Sequence, residues 1–126
     1  MDLILDTNAL SAAAGGDPEI NSRIRSARRL LIPVIVLGEY RFGIFQSQRR
    51  QIHEEWLAEL LAGCLILEIN DDTTFHYAEI RGELKRAGLP IPSNDLWIAA
   101  LARQHQAPVL SRDRHFDCVA GLKRLS

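Results

Sequence analysis

A chain of 126 residues with a formal net charge of −1 has room for one ordinary core and is read as a single domain over residues 1–126. Its 47% apolar and 25% charged residues are those of a globular protein, and no apolar run approaches the length of a membrane helix. Acid stands in Met1-Asp2-Leu3-Ile4-Leu5-Asp6 where a secretory leader carries base, and Cys64 and Cys118 have no metal-binding or redox spacing, so a cytoplasmic protein with two buried, reduced thiols and no membrane attachment is expected.

Leu3-Ile4-Leu5 is a short apolar run ending at Asp6, the pattern of a buried strand. Asp6, Thr7 and Asn8 can each cap a helix over 9–14, which Gly15-Gly16 stops. Asp17-Pro18 opens a second helix that carries Arg23, Arg25, Arg28 and Arg29 toward its end, where positive charge suits the helix dipole. Leu30-Leu31-Ile32 is a second strand, residues 34–45 a helix despite a β-branched start, and 48–61 an amphipathic helix with Ile52, Trp56, Leu57 and Leu60 on one side. Residues 64–69 read as a third strand, and Asp71-Asp72 begin a helix to about Ala87 that Gly88 and Pro90-Ile91-Pro92 close. Ser93 or Asn94 caps a helix over 95–105, residues 107–111 form a fourth strand, a loop covers 112–117, and the tail from Val119 adds one edge strand. Short apolar strands alternating with helices predict an α/β fold, a central, mainly parallel sheet of four to five strands flanked by helices. In such a sheet ligands bind beyond the carboxyl ends of the strands, which singles out Asp6 and the Arg112-Asp113 loop.

Four acids sit at positions where acid needs a reason. Asp6 ends the first strand, although helix capping alone accounts for it. Glu39 has Ile35, Val36, Phe42 and Gly43 three and four residues away, on what reads as an apolar helix face. A carboxylate buried there must be protonated, paired with an arginine or bound to metal. Asp95 opens a helix continuing Leu-Trp-Ile-Ala-Ala-Leu-Ala, apolar on every side and therefore buried; dipole stabilisation also explains an acid there. Asp113 lies two residues past Ser111 and means nothing in isolation. Carboxylates about 4 Å apart repel by roughly 4 kcal/mol per pair at an effective dielectric of 20. Gathering four therefore calls for divalent cations or raised pKa values, and hard oxygen donors favour Mg²⁺ or Mn²⁺ over zinc. Such a site suits phosphodiester hydrolysis.

Setting those four acids aside leaves +3 on the rest of the chain, and thirteen of its fifteen bases are arginines, well shaped to grip phosphate. Ordinary solvated ion pairs account for the same residues. His53, His76, His105 and His115 lack metal-ligand spacing, and Trp56 and Trp97 read as core.

In order along the chain, Leu5-Asp6-Thr7-Asn8, Val36-Leu37-Gly38-Glu39, Asn94-Asp95 with Trp97-Ile98-Ala99-Ala100, and Ser111-Arg112-Asp113-Arg114-His115-Phe116 resemble the PIN-domain ribonucleases, and among them the VapC-type toxins of bacterial toxin–antitoxin pairs. The resemblance runs from the first strand to Gly121-Leu122. It implies a PIN-like three-layer fold and Mg²⁺- or Mn²⁺-dependent cleavage of RNA, with Asp6, Glu39, Asp95 and Asp113 as catalytic and metal-binding residues. It further implies Thr7, Asn8 and Ser111 as supporting residues, Asp117 as an outer acidic position, and homodimers. A cognate antitoxin would offer a basic side chain to the acidic pocket. Arg112 and Arg114 are candidate contacts to the RNA backbone, with exposed loop arginines as the plainer reading.

No GxxxxGK[ST] or GxGxxG surrounds Gly15-Gly16, which excludes the common phosphate-binding loops. A catalytically silent PIN-like RNA- or protein-binding module is the alternative. A receiver-like domain would need a paired acid after the first strand, where Asn8 stands.

Overall fold

The computed structural model describes residues 1–126. The elements follow in the order β1 (Asp2–Leu5), α1 (Thr7–Ala14), α2 (Pro18–Ser26), β2 (Arg29–Pro33), α3 (Val34–Phe45), α4 (Arg50–Leu61), β3 (Cys64–Leu67), α5 (Asp71–Ala87), α6 (Ser93–His105), β4 (Val109–Leu110), a 3-10 turn (Arg114–Cys118) and β5 (Arg124–Leu125). All five strands are parallel in the order β3-β2-β1-β4-β5, with six helices flanking the sheet. Leu3, Ile4 and Leu5 are buried, as a strand covered by helices on both faces requires, and they put β1 at the centre.

From β1 the chain builds outward through β2 to β3, then returns by α5 and α6 to lay β4 on the other side of β1. Strand order therefore reverses between β1 and β4, and a crevice opens at their carboxyl ends. Ile4 pairs with Val109 and Leu5 with Leu110, so Asp6 and Ser111 emerge side by side. The Asp6 N–H donates to the Leu110 carbonyl at 3.1 Å, continuing the ladder to the edge of that crevice. Beneath it, side chains from the strands, α6 and the inner faces of α1 and α3 form one contiguous apolar cluster.

Local chemistry explains most boundaries. Asp17 accepts from the Glu19 and Ile20 N–H groups while Pro18 takes the first helical position of α2. Asn70 and Thr73 form a reciprocal capping box on α5, and Gly88 ends it with φ of 69°. Elsewhere the structure corrects the sequence reading. α2 stops at Ser26, and Arg29 opens β2, where it pairs with Asp2 at 2.6 Å. Neither Ser93 nor Asn94 caps α6; Pro92 does, with no side-chain hydrogen bond, and Asp95 is the third helical residue. Cys118 is exposed and Cys64 only partly buried; Trp56 and Trp97 are also partly buried.

Candidate active site

Asp6 is 5% exposed, at the step where β1 becomes α1. One carboxylate oxygen caps α1 by accepting the Thr7 N–H at 2.8 Å; the other accepts the Ser111 hydroxyl at 2.7 Å and the Asn8 amide at 3.3 Å. The same Ser111 oxygen accepts from Asn8 Nδ2 at 3.2 Å and from the Asp113 N–H at 2.9 Å, while Asn8 Oδ1 accepts the Arg112 N–H at 3.0 Å. Asn8 and Ser111 thus bolt the ends of β1 and β4 together and fix Asp6 between them. Burial pushes the Asp6 carboxyl above its ordinary range, against the Ser111 and Thr7 hydrogen bonds, and the charges of Glu39 and Asp113 push it further.

Asp95 reaches the crevice from the first turn of α6, its side chain 14% exposed. Its carboxyl is also raised, first by burial and then by the charges of Asp6 and Asp113, with the His115 hydrogen bond opposing. Asp113 caps the 3-10 turn by accepting the His115 N–H at 3.0 Å. That turn delivers the His115 ring, whose Nδ1 lies 2.8 Å from Asp95 and 3.0 Å from Asp113. The Asp95 hydrogen bond, followed by the two carboxylate charges, raises the His115 pKa above its ordinary value despite some desolvation.

Glu39 corrects the sequence reading: it is exposed, not buried on an apolar face. α3 is apolar nearly all round, so spacing alone does not choose a face; Val36, Leu37, Tyr40 and Ile44 are buried while Phe42 is 68% exposed. Glu39 instead borders an open depression beside α1, where the Thr7 hydroxyl donates to it at 3.2 Å.

Asp6, Asp95 and Asp113 therefore lie near one another at the strand ends, where the charge of Asp113 bears on Asp6 and those of Asp6 and Asp113 bear on Asp95; Glu39 stands at the border, its charge acting on Asp6. Asp117 lies apart: Arg124 grips it through Nε at 2.8 Å and Nη2 at 3.1 Å, lowering its pKa, and uses Nη1 to hold the Ser111 carbonyl at 3.0 Å. Arg112 is committed to an ion pair with Asp17, whereas Arg114 is exposed on the 3-10 turn. Spacing did not find His115, because its closest carboxylate, Asp95, lies twenty residues away. The Asp-x-His sequence at 113–115 was the only local signal.

The donor set fits a hard divalent cation. Its carboxylates come from four elements or loops, two with raised pKa values, and Asp95, Asp113 and His115 offer ligand atoms within 4.8 Å of one another.

An open parallel sheet with carboxylates at its switch point is shared with a known class: residues 3–122 match the model of the PIN domain, and the chain belongs to the PIN-domain family. It is 31% identical over 120 residues to Ribonuclease VapC5 of Mycobacterium tuberculosis, covering 94% of this chain and 87% of that protein. VapBC2 from Rickettsia felis, solved bound to a DNA fragment from the promoter, contains a chain similar at a TM-score of 0.87 and 27% identity, covering 99% of this chain and 98% of that one. VapBC-5 from M. tuberculosis, a member of the VapBC family of toxin-antitoxin systems, gives a TM-score of 0.74 at 29% identity over 98% and 97% of the two chains.

Proposed function

We propose that this protein is a VapC-type endoribonuclease, dependent on Mg²⁺ or Mn²⁺ and held inactive by a cognate antitoxin, with Asp6, Glu39, Asp95 and Asp113 as its metal-binding and catalytic residues. One observation supports the reading most: acids far apart in sequence act on one another's charge near the sheet's switch point, and the carboxyls of Asp6 and Asp95 are raised first by burial and then by neighbouring acids. The VapC name of its relative and the toxin–antitoxin membership of VapBC-5 support the ribonuclease and the antitoxin.

A bound divalent ion would supply Lewis acidity and lower the pKa of water at the scissile phosphate. Asp6, Asp95 and Asp113 form the inner wall that would hold it. Asn8 and Ser111 keep the Asp6 carboxylate from turning away, and Thr7 tethers Glu39 on the open side of the crevice. There Glu39, which would complete the metal-holding set from the open side, would also accept the proton of the attacking water as its oxygen bonds to phosphorus, while the departing oxygen takes a proton from solvent. Asp117 acts at one remove, orienting Arg124 against the Ser111 carbonyl. Arg114, exposed on the 3-10 turn, is the better backbone contact of the two loop arginines, since Asp17 already occupies Arg112. The protein works in the cytoplasm as a homodimer, where an antitoxin places a basic side chain among the acids.

Cleavage of a mixed RNA pool by antitoxin-free protein, in Mg²⁺, Mn²⁺ or EDTA, tests this reading alongside Asp95→Asn. Metal-dependent cuts that fall at least a hundredfold in the variant are expected. Folded protein that cuts in no condition would favour the silent binding module, and cuts that persist in EDTA and in the variant would place the chemistry elsewhere.

A further inference from the structure

A second cleft, of about 520 Å³, lies on the other flank of the α6 N-terminus and plays no part in holding the acids. Its α5 wall is a single helical stripe in which Tyr77, Arg81, Leu84 and Lys85 follow at four-, three- and one-residue steps, and Ile91, Ser93 and Leu96 close the other side. The acids of α5 lie off this stripe: Asp71 and Asp72 are at the far end, Glu79 faces His76, and Glu83 is paired with Arg103. Arg81 and Lys85 are exposed and neither is in an ion pair. Arg81 lies along the Tyr77 ring, donating to its hydroxyl at 2.9 Å, and Tyr77 is stacked on Trp97 with ring centroids 4.0 Å apart. Pro90 and Pro92 stiffen the rim. Ser93 in the cleft and Asp95 among the acids are two residues apart on one helix and so about 200° apart around its axis, which sets the cleft and the acids on opposite sides of the α6 N-terminus, roughly one helix diameter (about 10 Å) apart.

From this arrangement we propose that the cleft is a second RNA subsite, holding a nucleotide of the same strand beyond the one at the scissile phosphate. Arg81 and Lys85 take the backbone phosphate, and a base packs on the Tyr77 ring that Trp97 supports. Two cations, a backed aromatic ring and an apolar floor are the combination that recognises a single-stranded nucleotide. The inference rests on the ribonuclease reading and extends it from the cut bond to the strand beside it.

Binding of a fluorescent 12-nucleotide single-stranded RNA in EDTA, where no cutting is expected, reads the subsite directly across a salt series. Arg81→Gln with Lys85→Gln should weaken binding about tenfold and flatten the slope of log Kd against log salt by about 1.4, two contacts at about 0.7 each. Arg81→Lys should restore its share of the slope. Tyr77→Leu should weaken binding about fivefold with no change in slope, because stacking releases no counterion. An unchanged slope in the double variant overturns the subsite, and if wild type still cuts RNA the ribonuclease reading survives it. Wild type that neither cuts nor binds RNA removes both. A double variant that binds RNA normally but changes sedimentation makes the cleft a contact between copies of the chain, and also overturns the proposal.

Discussion

Asp6 holds the site together at a thermodynamic disadvantage to the fold. Its carboxylate is buried, and neighbouring acids raise its pKa, so ionising it at neutral pH without metal works against the folded state. Asp6→Asn removes the charge and keeps one acceptor oxygen, for the Thr7 N–H, while turning the other into an NH₂ that faces the Ser111 hydroxyl and the Asn8 amide. The variant should therefore lose cleavage yet unfold at a higher denaturant midpoint than wild type in EDTA at neutral pH, by an amount on the order of 1 kcal/mol. Chemical unfolding of both proteins decides it; a less stable variant would show that hydrogen bonds to the carboxylate outweigh its burial. At this scale Asp6 and Asp95 stood out because one ends a strand and the other opens an apolar helix, whereas Asp113 had no local signal and Glu39 was read as buried but is exposed. Their partners were not legible: Asn8 touches Ser111 across 103 residues of chain, and His115 meets Asp95 only because a short 3-10 turn swings the ring back.

Among the elements, α5 and α6 are tied by a buried hydroxyl. Thr73 is fully buried; its hydroxyl lies 2.6 Å from Gln104 Oε1 on α6 and accepts the Asn70 N–H at 3.1 Å. Thr73→Val keeps the shape and removes both bonds, so a loss of about 1–2 kcal/mol is expected in urea unfolding. Thr74→Val, at the exposed neighbour, should stay within about 0.5 kcal/mol. Equal losses at the two positions would show that helix propensity governs here instead of the inter-helix bond. Elements were easiest to read where one force dominated, as in the apolar β1 run or the Asp17-Pro18 start of α2. α3 was harder, because a helix apolar all round gives no orientation, and Glu39 was assigned to the wrong side. Pro92 displaced the polar residues expected to cap α6, since the proline-stiffened approach already sets an extended backbone there.

For the whole molecule, opposing ionisations set the pH response. Asp6 and Asp95 bind protons more tightly folded than unfolded, so metal-free stability falls as pH rises from the ordinary 3.8 toward their raised values. His115 acts in the same direction higher up: its contribution is full below 6.5 and is lost as pH rises through its raised value. Asp2, held by Arg29, Asp17, held by the Ile20 N–H and Arg112, Glu83, held by Arg103, and Asp117, held by Arg124, act oppositely. Their contributions are present above the ordinary carboxylate values and fade as pH falls through the lowered ones. In EDTA, stability should therefore peak on the acid side of neutrality, and added Mg²⁺ should lift the neutral and alkaline arm most. Denaturant midpoints across pH with and without Mg²⁺ test this; an EDTA profile that climbs steadily through pH 8 contradicts it. The parallel sheet and its open edge were legible as a whole from strand–helix alternation. The reversal between β1 and β4 was not, because strand order depends on which strand the returning chain pairs with.

That reversal also sets a schedule. The strand that carries Asp6 is made first, but its neighbour β4 and the Ser111 hydroxyl that fixes Asp6 come near the end of the chain, after Glu39 and Asp95. Asp113 follows two residues later, and the Ser111 backbone is itself held by Leu125 and Arg124. During synthesis the emerging polypeptide therefore carries most of these acids without a place to assemble them. The crevice that gathers these acids does not exist until the last strands dock, so any chemistry it carries waits for the sheet to be completed.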